Sequence, residues 1–256
     1  MMEIKHRQVH SNGITLHIAE AGQGSPVILV HGFPELWYSW RHQLPALARA
    51  GYHAVAPDLR GYGDSDAPEA VESYSMVNMA ADISGLLEAI AAEKTVFVGH
   101  NWGANIVWDF ARLYPRRVAA IAALSVPCRP RTPQPPTEIN RSFSRGHFNF
   151  VVYFGRLGVA EAELQADVRQ TLRRFFYSLS ADAPPEVVTH LYTSKPADAG
   201  VLDGMPDPPV LPAWLTDADL DYYACAFERA PASAEHSIAT AIWIATGKNS
   251  PASQTS

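Results

Sequence analysis

Short apolar runs alternate with stretches of helical period along the first half of the chain. ITLHIAEAG, from Ile14, and PVILVHG, from Pro26, read as strands, the second an unbroken apolar run suited to a strand buried on both faces. LWYSWRHQLPALARAG predicts a helix, with Trp37, Trp40, Leu44 and Leu47 at helical spacing and Gly51 as its stop. HAVAPDL predicts the next strand. SMVNMAADISGLLEAI predicts a helix that buries Met79, Ala80, Ile83, Leu86, Leu87 and Ile90 on one face. KTVFVGH reads as a strand, WGANIVWDFARLYP as a helix stopped by Pro115, and VAAIAALSVP as a strand. Strand–helix–strand alternation predicts parallel pairing with right-handed crossovers, so this half is expected to be α/β.

The pattern changes after residue 127. Five of the ten residues from Pro127 to Pro136 are proline, which makes a stiff exit from a sheet. VAEAELQADVRQTLRRFFYS, PPEVVTHLYTS and LTDADLDYYACAFER then predict helices with no strands between them. The last opens with Thr216 three residues before Asp219, an acidic variant of the capping box. The expected organisation is residues 1–127 as the N-terminal part of an α/β core, 128–229 as a helical cap or lid, and 230–256 as a tail of different character.

Composition narrows the class of function. Hydrophobic residues at 47% supply a core, and charged residues at 18% fall below the usual ~25%, which excludes a charge-driven disordered chain. Lys+Arg 20 against Asp+Glu 26 gives a net charge of −6, and no basic run is present, which argues against a nucleic-acid or anionic-membrane partner. Cys128 and Cys225 cannot build a disulfide framework, so a reducing, cytoplasmic setting is expected. No stretch approaches the ~20 apolar residues of a membrane span.

Two loops carry candidate chemistry. Gly99-His100-Asn101-Trp102-Gly103 joins an apolar strand to a helix, with the spacing small-x-nucleophile-x-small of a nucleophile elbow. Such a turn presents its central side chain at a helix N-terminus, and the N–H of Trp102 would serve an oxyanion hole. Taken alone, the pentapeptide fits equally a plain strand–turn–helix with Asn in a left-handed turn. His31-Gly32-Phe33-Pro34 lies at the end of an earlier strand, where the N–H of Phe33 would be the second oxyanion donor. Pro34 and Trp37 are the expected pocket residues beside it.

HGFPELWYSWRHQLPALARAGYHAVAPDLRGYGDSDAP followed by VGHNWGANIVWDFARLYPRRV resembles the epoxide hydrolase branch of the α/β-hydrolase superfamily, from about Ile14 to Arg229. The resemblance implies an α/β-hydrolase fold, a parallel-rich sheet with helices on both faces, plus a helical lid. It implies a small-molecule epoxide as substrate, with no metal and no organic cofactor. In that family the elbow reads G-H-D-W-G, and the Asp carboxylate opens the epoxide to a covalent ester. Lid tyrosines bond the epoxide oxygen, and a late His oriented by an acid activates the water that cleaves the ester. Tyr153, in the run Tyr153 to Glu163 that is similar to the family's Tyr-Phe-Gln-x-Pro-Gly-x-Ala-Glu-Ala-Glu, is thereby the candidate electrophile; Gly155 and Leu157 depart from the pattern.

The chain departs from the family at two further places. Asn101 stands at the nucleophile position, and an amide oxygen is a far poorer nucleophile than a carboxylate, so the first step should fail. The bulky Trp102 after it is unfavourable for spontaneous deamidation. The tail is the other departure: His236 is the only histidine after the lid, and no strand precedes it to place it as the base. Residues 230–250 can be back-translated, within codon degeneracy, so that reading from the third base yields AGFRGALNRYRNMDRDWEEL, which resembles the family's next segment. The expectation is an out-of-frame tail, an absent acid, base and C-terminal core strands, and a catalytically impaired, poorly soluble product. A haloalkane dehalogenase-like hydrolase and a non-catalytic ligand-binding relative are the alternatives. The oligomeric state is not legible.

Overall fold

In the computed structural model, which describes residues 3–130, 136–144, 146–156, 158–191 and 195–229, six strands form one sheet. They are β1 (Lys5–Ser11), β2 (Ile14–Ala21), β3 (Ser25–Val30), β4 (Tyr52–Pro57), β5 (Thr95–His100) and β6 (Val118–Leu124), in the order β1-β2-β4-β3-β5-β6. β3 and β4 lie in the middle, and Val27 to Val30 and Ala54 to Pro57 are all buried, as unbroken apolar runs require. Pairing is parallel for β3–β4, β3–β5 and β5–β6. The first two strands correct the parallel expectation: β1 runs antiparallel to β2, and β2 antiparallel to β4. The described sheet ends at β6, an apolar strand on which Leu124 is 45% exposed.

The helix expected over LWYSWRHQLPALARAG is two elements, a 3₁₀ turn at Trp37–Trp40 and α1 at Gln43–Arg49. Pro45 explains the break, because proline has no N–H to give and is tolerated only in the first turn of an α-helix. Ser75 caps α2 (Met76–Ala89) by accepting the Asn78 N–H, and α2 buries Met79, Ala80, Ile83, Leu86 and Leu87. Ile90 is its C-cap and only half-buried. α3 (Trp102–Leu113) packs on α2, β3, β5 and β6, whereas α1 packs on β2 and β4. Beyond β4, Arg60 donates to both carboxylate oxygens of Asp82 on α2, at 2.8 and 2.6 Å, and both side chains are buried.

The chain divides into two compact units within the Pro-rich stretch, between residues 131 and 132. The second is helical: α4 (Pro136–Phe143), α5 (Phe150–Phe154), α6 (Val159–Gln165), α7 (Val168–Ser178), α8 (Pro185–Thr189) and α9 (Asp217–Glu228). The helix expected over VAEAELQADVRQTLRRFFYS breaks where Asp167 caps α7 by accepting the Gln170 N–H at 2.9 Å. The Thr216–Asp219 capping box at the start of α9 is present in both directions. Leu164, Leu172, Phe175, Leu220 and Phe227 are among its buried side chains. Leu157 and the tail from Ala230, with His236, lie outside the described residues. Among the described residues no helix is long and apolar enough to cross a membrane, and no group of three or more His, Cys, Asp or Glu could hold a metal ion.

Candidate active site

Asn101 sits between β5 and α3 with φ 52° and ψ −119°, a conformation that a residue with a Cβ enters only when its surroundings impose it. The surroundings are specific. The Asn101 N–H donates to the Leu124 carbonyl at 3.3 Å, and its own carbonyl accepts the Ala104 N–H at 3.1 Å. Gly103 lets α3 start hard against β3: a Cβ there would overlap the Val30 carbonyl oxygen and stand 2.5 Å from that of His31.

The Asn101 Oδ1 atom accepts two backbone N–H groups, from Trp102 at 2.7 Å and from Phe33 at 3.2 Å. Two donors converging on one atom identify that atom as the amide oxygen, so the NH₂ group is turned away from them. The structure thus brings Phe33, Asn101 and Trp102 together, with the two N–H groups aimed at a single point where negative charge would be stabilised.

The loop bearing Phe33 is clamped on two sides. His31 is fully buried; its Nε2 accepts the Leu59 N–H at 3.0 Å, so Nδ1 carries the proton and donates to the Gly32 carbonyl at 2.8 Å. Burial holds the His31 pKa down, and the ring is a neutral brace. The Gly32 N–H donates to Glu35 Oε2 at 2.7 Å, and Glu35 pairs with His100 Nδ1 at 3.0 Å. The end of β5 therefore fixes the loop after β3. Sequence reading gave Glu35 no role; its position three residues after a tight-turn glycine was the available signal.

Asp58 was also missed. Its carboxylate accepts the Trp37 N–H at 2.9 Å and the Asp64 N–H at 3.3 Å, and pairs with His17 Nδ1 at 2.8 Å. Trp37 is buried, with ring neighbours that include His6, His17 and Tyr38, and Pro34 is buried after a cis Phe33–Pro34 peptide. Both belong to the packed base of the loop.

Tyr153 lies on α5 in the second unit and is buried. Its hydroxyl donates to Glu163, whose two carboxylate oxygens also accept the Val201 N–H at 2.7 Å and the Leu202 N–H at 2.9 Å. Burial first, and then Glu163, push the phenol well above its ordinary pKa. The proton that the resemblance assigns to an epoxide oxygen is already engaged inside its own unit.

The Glu35–His100 pair makes a pH prediction. Its hydrogen bond raises the His100 pKa against the opposing effect of burial. A histidine raised in the folded state contributes stability that is complete below the ordinary value of 6.5 and is lost as the pH rises through the folded value. An NMR titration should find His100 above 6.5, and Glu35→Gln should bring it down, leaving burial to act alone. A His100 titration unmoved by that variant would remove Glu35 as the cause.

Comparison with known proteins follows the same residues. The family described as alpha/beta hydrolase fold matches residues 25–182. Epoxide hydrolase A of Mycobacterium tuberculosis is 48% identical over 225 residues, covering 87% of this chain and 69% of that protein. The crystal structure of epoxide hydrolase A from Mycobacterium thermoresistibile superposes with a TM-score of 0.84 at 46% identity, over 95% of this chain and 77% of that one. An epoxide hydrolase from an endophytic Streptomyces gives 0.85 at 41% identity, over 95% and 74%. The mixed sheet, the elbow with its paired N–H donors and the matches at this level of identity agree: the chain belongs to the epoxide hydrolase branch of the α/β-hydrolase superfamily.

Proposed function

We propose that position 101 is where an epoxide is attacked, and that the chain in its Asn101 form holds this site without completing the reaction. The observation that carries the proposal is the double hydrogen bond from Phe33 and Trp102 to Asn101 Oδ1 at a strained turn. A carboxylate at this position would keep one oxygen between those donors and present the other to an epoxide carbon. Attack would form a C–O ester bond, break the ring C–O bond and leave an alkoxide to be protonated. Water adding to the ester would place a tetrahedral oxyanion on the oxygen that Phe33 and Trp102 already bond, and its collapse would release a vicinal diol.

With Asn101 the attacking atom is replaced by an amide nitrogen whose lone pair is shared with its carbonyl, so ester formation stops at the start. The second step lacks an evident base among the described residues near the turn. His31 has both ring nitrogens committed, and His100 gives Nδ1 to Glu35. The helical second unit serves as the lid, with Tyr153 as electrophile only if its hydroxyl leaves Glu163. The setting is cytoplasmic, and the ligand a small epoxide.

The test is Asn101→Asp incubated with a reactive aryl epoxide such as styrene oxide and followed by intact mass. The expected result is slow formation of a single ester adduct, with no adduct on protein freshly prepared and shown by mass to retain Asn101. Repeated turnover to diol would show that the chain supplies a base for the second step. No adduct on a folded variant would remove position 101 as the nucleophile.

A further inference from the structure

The backbone of Asn101 has a consequence for its own side chain. Cβ lies about 120° from the nitrogen around the Cα–C bond of any L-residue. At ψ −119° the Asn101 Cβ is therefore eclipsed with the Trp102 nitrogen. That eclipsed torsion is the one required inside a five-membered ring closed between the side-chain Cγ and the next backbone nitrogen. In a flexible chain this arrangement is rare, and a bulky following residue makes it rarer, which is why the Asn-Trp pair reads as unreactive from sequence. Here the elbow imposes it, together with the positive φ that strains the unreacted state.

Four further features favour the same chemistry. The Trp102 nitrogen is 2.7 Å from Asn101 Oδ1, so amide and backbone nitrogen are already in contact. Trp102 is the first residue of α3, where the N–H has no partner within the helix, and losing its proton breaks no helical hydrogen bond. Asn101 is only half-buried, so water reaches it. The Phe33 N–H on Oδ1 polarises the Cγ carbonyl and would hold the charge that appears on that oxygen.

We propose that Asn101 is a self-modification site at which the folded chain converts the amide to a carboxylate through a cyclic imide. Solvent base removes the Trp102 amide proton, the nitrogen attacks Cγ, and the carbonyl electron pair moves to Oδ1. Rotation about Cα–Cβ brings Cγ to the nitrogen, and rotation about Cβ–Cγ turns the face of the amide toward it, while ψ stays as it is. Collapse expels Nδ2, protonated by solvent, as ammonia. Water then adds to Cγ and breaks its bond to the Trp102 nitrogen, which regains its proton. The balance is one amide and one water to one carboxylate and one ammonium ion. Water adding at the main-chain carbonyl would give the isoaspartyl isomer; polarisation of Cγ by Phe33 favours the normal aspartyl product. The conversion does not depend on the reading of the site as hydrolytic. Only its consequence, a carboxylate at the nucleophile position, rests on that reading.

The experiment compares the intact 256-residue chain in mildly alkaline buffer with and without urea, followed by peptide mass spectrometry over days. Asn12, which precedes Gly13, is the internal standard for deamidation governed by sequence alone. In urea, Asn12 should lead and Asn101 should lag. In native buffer, Asn101 should convert about tenfold faster than it does in urea, the rate equivalent of fixing one residue's backbone in advance. The product should be predominantly aspartyl by electron-transfer fragmentation. A rate at Asn101 equal to or below its rate in urea would overturn the proposal, as would a mainly isoaspartyl product. Epoxide labelling of the aged protein is a separate readout: conversion without labelling would leave this inference standing and remove the hydrolytic reading of the site.

Discussion

Gly103→Ala should cost the first unit about 3 kcal/mol or more, because overpacking against atoms that cannot move lies at the upper end of such effects. The added Cβ would meet the carbonyl oxygens of Val30 and His31, and both are backbone atoms at the end of a buried central strand. Relief requires α3 to withdraw from β3, which also withdraws Trp102 from Asn101 Oδ1. Stability and the paired donors should therefore be lost together. Urea unfolding followed by tryptophan fluorescence reads the stability. Gly51→Ala is the control: Gly51 also has a positive φ, +86°, but open space around it, so its cost should stay near the ~1 kcal/mol of conformation alone. Equal losses at the two glycines would mean that close approach at Gly103 is not the cause.

Arg60→Met should be nearly as damaging. It leaves the Asp82 carboxylate buried with only the Asn12 side-chain amide, at 2.9 Å, and breaking a buried pair in this way costs ~3–5 kcal/mol. A domain has only ~5–15 kcal/mol in hand. The cost comes from the stranded charge and not from the worth of the pair, so Arg60→Met combined with Asp82→Leu should recover most of the loss. Unfolding curves for the two single variants and the double variant give the coupling. A double variant as unstable as the sum of the singles would refute the stranded-charge account.

The parts of the fold that were legible are those whose own residues dictate their environment. The runs VILV and AVAP are buried on both faces because nothing in them tolerates water, and Met79 to Leu87 mark one face of α2 because their period is helical. β1 was not legible in the same way. KHRQVHS has four exposed residues before its first buried one, and it is a strand only because β2 offers it an edge. The available signal was the turn, Asn12-Gly13, both at positive φ, which closes a two-residue hairpin. At the site, the elbow and the Phe33 loop were legible as motifs because glycine and proline constrain the backbone locally. Glu35, Asp58 and Glu163 were not, since each acts on a group remote in sequence or in an unpredicted loop. Glu163 is the clearest case: Val201 and Leu202 come to it only after two helices have packed.

The bond from the Phe33 N–H to Asn101 Oδ1 joins residues 68 positions apart, and each loop supplies only one of the two oxyanion donors. Closing so long a loop carries an entropic cost that β3–β5 pairing helps to offset. During synthesis the pocket cannot exist until β5 and the first turn of α3 have left the ribosome and paired with a strand made much earlier. Asn101 is then forced into its strained turn at a late, discrete step of folding, and any chemistry that depends on that turn has a starting time set by folding itself.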